Sequence, residues 1–151
     1  MKRVRPARTE RALNENDAWA KQKAHGGPAQ VRRPRSADVD VVERARCAYV
    51  LSGRRSTLLG SGLFADPGWN MLLDLLLSEV DGNVLSVTSA CIGSRASHST
   101  ALRHMMLLRK AGLVERVPDG TDRRRTIVRL TDRGWEALHR LFQTERSAAA
   151  A

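Results

Sequence analysis

An amphipathic helix followed directly by two short strands is the feature of this sequence that most restricts its fold. Ser97 is placed to cap the helix, and Gly112 stands where a left-handed residue commonly ends one. Residues 113–117 and 125–130 read as strands on either side of a turn with the sequence PDGTD, residues 118–122. This order predicts a mostly α fold with a small β-hairpin wing.

Further helices are predicted on both sides of this unit. Apolar residues recur at helical spacing over residues 38–57, and Asp66-Pro67 is a signal for the start of a second helix. The second helix is apolar on nearly every face, which favours burial on two sides, with a second subunit as a candidate for one of them. Residues 84–87 suit a strand, residues 88–92 suit a short helix, and Thr131 is placed to cap a last helix.

Positive charge is concentrated in two segments of the 151-residue chain, whose formal net charge is +10. Residues 1–36 hold ten basic and three acidic residues, and residues 95–133 hold ten and four, whereas residues 37–94 are net negative. Such asymmetry points to a polyanionic partner. For the first segment taken alone, an ordinary solvated arm is the competing interpretation.

The sequence divides into three parts. Residues 1–36 carry arginine, proline and glycine with few large apolar residues, and are expected to form a basic, largely disordered arm. Residues 37–146 are expected to form a winged-helix domain that begins with a dimerisation helix and contains a helix-turn-helix over 87–111 and a wing over 113–130. Residues 147–151 are expected to be a disordered tail.

A helix-turn-helix followed by a basic wing suits double-stranded DNA. The second helix of the pair fits the major groove and presents its N-terminal residues to base edges, while wing arginines reach the minor groove or phosphates. Ser99, Thr100 and Arg103 are the base-contact candidates, and the turn arginine is a phosphate candidate. The full set of DNA-binding candidates is Arg95, Ser97, His98, Ser99, Thr100, Arg103, Arg123, Arg124 and Arg125. An ordinary solvated helix face and turn are the competing interpretations.

The stretch from Ser94 to Gly134 resembles the MarR-type winged-helix transcription regulators. The motifs that carry the resemblance are S-x-S-T at residues 97–100, L-x-x-x-G-L-V-x-R at 108–116, D-x-R-R at 122–125 and V-x-L-T-x-x-G at 128–134. The four motifs occur in the order and at the spacing of the family.

The resemblance implies roles for two wing residues and an assembly. Asp122 would hold a wing arginine in place, and Arg124 would enter the minor groove. The protein would be a homodimer with two recognition helices on a roughly palindromic operator. The family dimerises through its first helix and two long C-terminal helices, whereas 20 residues follow Thr131 here, enough for one helix. The first two helices are then the alternative source of an interface, and a small-molecule effector is open but unsupported.

Other classes of function find no support in the sequence. Cys47 and Cys91 lie 44 positions apart without a Cys/His cluster, so neither a metal site nor a disulfide framework is expected. Cys91 is expected to be structural, and Met105 and Met106 are expected to fill the core. No Gly-rich phosphate loop, HExxH or GxSxG motif appears, so no enzyme and no cofactor are expected. No apolar run suits a membrane helix or signal peptide, and a cytoplasmic, nucleoid-associated protein is expected.

The sequence therefore predicts a sequence-specific, dimeric transcription regulator that binds double-stranded DNA. One alternative is a non-specific DNA-associated architectural or replication module, in which the basic arm supplies most of the affinity. The other is a winged helix that binds proteins, because this fold does not by itself dictate DNA binding.

Overall fold

The computed structural model describes residues 39–60 and 62–149, with side chains through residue 143. The basic arm predicted for residues 1–36 lies outside the described residues. Within these residues, five helices and three strands follow one another. They are α1 (Val39–Leu59), α2 (Pro67–Val80), β1 (Leu85–Ser86), α3 (Val87–Gly93), α4 (His98–Lys110), β2 (Val114–Pro118), β3 (Thr126–Leu130) and α5 (Asp132–Ala149).

Local capping signals fix the ends of these helices. The Asp66 carboxylate accepts a hydrogen bond from the Trp69 amide at the start of α2, and the Ser97 hydroxyl caps α4. Gly112, with φ +71°, ends α4 in the left-handed region that favours glycine. The Thr131 hydroxyl accepts from the Gly134 amide at the start of α5. The predicted helix and strand order is confirmed.

The three strands form one small antiparallel sheet in the order β1-β3-β2. Val114 pairs with Leu130 and Pro118 with Thr126, so β2 and β3 make the predicted hairpin. β1 contributes only two residues and pairs with the other edge of β3. This pairing ties the wing to the start of α3, and so couples the wing to the helix-turn-helix.

Helix α2 forms the centre of the core. Its Met71, Leu73, Leu75, Leu76 and Leu77 are all buried, and α1, α3, α4 and β3 pack around it. Burial on two sides is thus confirmed, but the suggestion that a second subunit covers one of those sides is wrong. Elements of the same chain surround α2, because α1 before it and α3, α4 and β3 after it all pack against it.

Helix α5 continues to Ala149. The first three residues of the segment 147–151, for which a disordered tail is expected, thus fall within the helix. Serine and alanine extend a helix at little cost once the preceding turns have formed, and alanine has the highest helix propensity of all residues. None of the helices in the described ranges is long and apolar enough to cross a membrane.

Candidate nucleic-acid interface

Helix α4 has one buried face and one exposed face. Ala101 and Met105 are buried against the core, whereas Ser99, Thr100 and Arg103 are exposed. The three exposed residues occupy the first half of the helix, beside the exposed Ser97 and His98 at its start. The structure thus brings the five helix candidates together on one surface, with polar groups directed away from the core.

The cap of α4 also arranges the hydroxyl groups at its start. The Ser97 hydroxyl donates to Thr100 Oγ1 over 2.9 Å and accepts from the Thr100 amide over 3.4 Å. Because Thr100 Oγ1 is the acceptor in the first bond, its own hydroxyl hydrogen is left to donate outward. Ser97 is chiefly a cap, and Thr100 is the better placed of the two to donate to a base edge.

Arg95 has a role in the turn that the sequence did not reveal. Its backbone is left-handed, with φ +58°, and its guanidinium lies 3.9 Å from the centre of the Tyr49 ring. Nη1 donates to the Tyr49 carbonyl oxygen over 2.7 Å. A side chain on Gly53 would collide with this guanidinium, since a Cβ there would lie 2.6 Å from Nη1. Arg95 therefore anchors the turn to α1, and its contact with phosphate stays a prediction.

Three further hydrogen bonds hold the same turn. Tyr49 Oη donates to the Gly93 carbonyl over 3.0 Å, and Asn70 Nδ2 donates to the Ser94 carbonyl over 3.4 Å. Ser52 Oγ in turn donates to Asn70 Oδ1 over 2.6 Å. Burial, and then the nearby Asp74 carboxylate, raise the pKa of Tyr49 well above its ordinary value. Tyr49 thus keeps its hydroxyl proton, and the helix-turn-helix is held rigidly by α1 and α2.

The tip of the wing is folded around Asp119. Its Oδ1 accepts from the Thr121 amide over 2.9 Å and from the Thr121 hydroxyl over 2.8 Å. Its Oδ2 lies 3.5 Å from Arg125 Nη1. Hydrogen bonds from Thr121, first from its amide and then from its hydroxyl, lower the pKa of Asp119, with a smaller contribution from Arg125. The turn is therefore organised by a charged carboxylate.

The three wing arginines have different environments. Arg125 is half-buried, pairs with Asp119, and donates to the Val84 carbonyl over 3.3 Å. Arg123 and Arg124 are exposed. The Asp122 carboxylate accepts from the Arg124 amide over 2.9 Å. Asp122 thus orients Arg124 through the backbone, while Asp119 is the carboxylate that holds a wing guanidinium, and that guanidinium is Arg125.

The structure therefore differs from the resemblance in the carboxylate that holds a wing guanidinium. Arg125 is tied to the sheet and to the start of β1, which limits its reach toward a ligand. Arg123 and Arg124 are exposed at the tip, and their contact with a groove stays a prediction. A turn with two aspartates before an arginine run does not reveal which carboxylate faces which guanidinium, so the pairing depends on the folded hairpin.

The described part of the chain offers no set of three or more His, Cys, Asp or Glu side chains with the geometry to hold a metal ion. Cys91 is buried and Cys47 is exposed. Burial raises the pKa of the Cys91 thiol, although the positive charge of Arg116 opposes this effect. A thiol with a raised pKa is poorly reactive at neutral pH, which agrees with a structural role for Cys91.

Residues 95–134, from the turn through the wing, match the family model described as the winged helix DNA-binding domain. The fold is a winged helix-turn-helix. The matched segment contains all nine DNA-binding candidates and the motifs of the MarR resemblance. No curated protein matches the chain.

Solved structures similar to this winged helix include bacterial transcription regulators. A mutant of MepR from S. aureus, bound to an oligodeoxyribonucleotide, is 17% identical over 73% of each chain, with a TM-score of 0.47. The PcaV transcriptional regulator from Streptomyces coelicolor is 23% identical, covering 72% of this chain and 74% of its own, with a TM-score of 0.43. A probable transcriptional regulator from Pseudomonas aeruginosa is 21% identical, covering 73% and 79%, with a TM-score of 0.43.

Proposed function

We propose that this protein is a sequence-specific transcription regulator that binds double-stranded DNA as a homodimer in the cytoplasm, at the nucleoid. One observation carries the proposal. The N-terminal half of α4 exposes Ser99, Thr100 and Arg103 on a single face, within a segment that matches the winged helix DNA-binding domain. An ordinary solvated helix face would account for the exposed polar residues of α4. It would not account for the hydrogen-bonded turn before the helix or for the exposed pair Arg123 and Arg124 in the neighbouring wing.

In the proposed complex, α4 lies in the major groove. Arg103 is suited to two hydrogen bonds with a guanine edge, and Thr100 and Ser99 are suited to single bonds with either base of a pair. His98, at the first helical position, is placed for phosphate or a base edge. Arg123 and Arg124, at the tip of the wing, contact the adjacent minor groove, where the negative potential is high.

The proposed dimer uses the outer surface of α1. Leu51 and Leu58 lie seven positions apart, and therefore on one side of the helix, and they are 65% and 77% exposed. Leu59, which ends the helix, and Phe64, in the loop after it, are also exposed. A second copy that covers these side chains would remove apolar surface from water and place two recognition helices on one duplex.

Selection of duplexes from a random DNA library by the full-length protein, at about 150 mM salt, tests this function. We expect a two-fold symmetric motif with half-sites about one helical turn apart, since a dimer presents its two recognition helices at that spacing. Retention of DNA without any enriched motif would contradict sequence-specific regulation. Failure to retain any duplex would contradict DNA binding itself.

A second candidate function is non-specific association with DNA. The observation in its favour is the excess of seven basic residues in residues 1–36, which would attract any phosphate backbone. Deletion of residues 1–36 separates the two candidates. For a sequence-specific regulator we expect the motif to survive with weaker overall binding, whereas a non-specific module would lose nearly all of its binding.

A further inference from the structure

Met106 is an apolar side chain on the outermost face of the recognition helix. It is 63% exposed, whereas its neighbour Met105 is buried. The expectation that both methionines fill the core is thus wrong for Met106, because successive helical residues point about 100° apart and only one of the two faces inward.

The position of Met106 relates it to the base-contact candidates. Ser99, Arg103, Met106 and Lys110 follow one another at intervals of four, three and four residues, which places them in one stripe along the helix. The buried residues Ala101 and Met105 lie on the opposite side. A ligand that extends along this stripe and contacts Ser99 and Arg103 therefore also contacts Met106.

The surroundings of Met106 are cationic. An open groove of about 540 Å³ separates the end of α4 from β2, and Met106 lines it with three cations, Arg109, Lys110 and Arg116, and one carboxylate, Glu115. Cations on both sides favour a phosphate-bearing ligand over this part of the helix. An apolar side chain set among them can contact an apolar group on the same ligand.

We propose that Met106 reads the C5-methyl group of a thymine in the major groove. This inference rests on the proposed function. The thymine methyl is the one apolar group that B-DNA base pairs present at their major-groove edge, and it gives direct contact with apolar side chains. Met106 lies about 10 Å along the helix axis from Ser99. For a helix that follows the groove, this distance corresponds to about three base pairs.

Replacement of thymine by deoxyuridine in the selected operator tests the inference, because it removes the methyl group and leaves base pairing unchanged. With the full-length wild-type protein, we expect one thymine in each half-site whose replacement lowers affinity about fourfold, the effect of one buried methyl-sized group. This thymine should lie next to the bases that respond to Arg103→Ala, on the side away from those that respond to Ser99→Ala.

Two variants of Met106 complete the test. Met106→Gln keeps the length of the side chain but makes its end polar, so we expect it to bind the thymine and deoxyuridine operators equally. Met106→Leu keeps an apolar end, and we expect it to retain the discrimination. Since the residue is exposed, neither change should alter the circular dichroism spectrum.

The outcomes separate this inference from the function on which it rests. An enriched motif with no thymine whose methyl effect depends on residue 106 would overturn the role of Met106 and leave the DNA-binding proposal standing. A methyl effect that persists unchanged in Met106→Gln would do the same. Absence of any enriched motif would overturn both.

Discussion

Arg95 is held by a stacking contact and a hydrogen bond to Tyr49, both within the chain. A cation over an aromatic ring and a hydrogen bond from a charged donor each contribute on the order of 1 kcal/mol. The residue joins the helix-turn-helix to α1, and its charge also lies at the candidate DNA surface. Its structural contribution is measurable separately, in the absence of DNA.

We expect Arg95→Ala to lower the free energy of unfolding by about 1–2 kcal/mol, as measured by urea denaturation. Arg95→Lys should not restore it, because lysine lacks the planar guanidinium that stacks on Tyr49. Arg103→Ala is the matched control, since this arginine is exposed on α4, and it should change stability by less than about 0.5 kcal/mol. Equal stability of Arg95→Ala and Arg103→Ala would contradict an anchoring role.

Arg124 is expected to act on DNA without reading sequence. We expect Arg124→Ala to weaken binding to all duplexes and to reduce the slope of log affinity against log salt by about 0.9 for each lost phosphate contact. Arg140→Ala removes the same charge from the exposed surface of α5, where Arg140 pairs with Glu136 over 3.4 Å, and should leave the slope unchanged. Equal slopes in the two variants would exclude the wing from the interface.

Contacts between residues that are far apart in the chain could not be predicted from the sequence. The N-cap role of Ser97 and the left-handed Gly112 followed from local patterns, because capping is decided within a few residues. The contact between Arg95 and Tyr49 joins residues 46 positions apart. No local pattern encodes such a contact, and a solvent-facing role for Arg95 was the natural expectation from its place in a turn.

At the scale of elements, the junction between α4, the hairpin and α5 is closely packed. A Cβ on Gly134 would clash with the backbone carbonyl of Leu113, which has no flexible end to move aside. Thr131 reinforces the junction by donating its hydroxyl to the Gly112 carbonyl over 2.6 Å. The glycine is thus required by close packing between α5 and the start of β2.

We expect Gly134→Ala to lower the free energy of unfolding by about 1–3 kcal/mol through overpacking, as measured by chemical denaturation. Gly120→Ala is the control, because a Cβ at Gly120, in the wing turn, meets no atom within 4 Å. The control should change stability by less than about 0.5 kcal/mol. A change at Gly134 no larger than that at Gly120 would contradict the described packing.

Elements with strong start or turn signals could be predicted from the sequence, whereas the elements that pack against them could not. The Asp66-Pro67 signal gave the start of α2 correctly, and the PDGTD turn gave the hairpin. The apolar residues on every face of α2 indicated burial, but periodicity alone does not say whether the covering atoms belong to the same chain. In the structure they belong to α1, α3, α4 and β3 of one chain.

For the whole molecule, the proposed dimer surface and the proposed DNA surface lie on different elements. The cations of residues 95–133 accompany the recognition helix and wing, whereas Leu51, Leu58 and Leu59 are exposed on α1. Separate surfaces allow one face to bind DNA while another joins two copies. Binding of DNA at one surface therefore does not require the second copy to leave the other.

We expect the double substitution Leu51→Glu and Leu58→Glu to convert the proposed dimer to a monomer in sedimentation equilibrium, because unpaired like charges would be buried at the interface. The helical circular dichroism signal should be retained, since both side chains are exposed. Ile92→Glu, a charge on the exposed surface of α3, is the control and should leave the dimer intact. A wild-type monomer would contradict the proposed dimer, and an unaffected dimer in the double variant would place the interface elsewhere.

The proposal that α4 reads base edges is tested by running the duplex selection in parallel with the wild-type protein and with a variant that carries Ser99→Ala, Thr100→Ala and Arg103→Ala. These substitutions remove polar groups from the exposed face of α4 and leave its buried face unchanged. If the start of α4 reads base edges, the wild-type protein enriches a two-fold symmetric motif, while the variant still retains DNA through phosphate contacts but loses the base preferences that these three side chains supply. Enrichment of the same motif by both proteins would contradict the account.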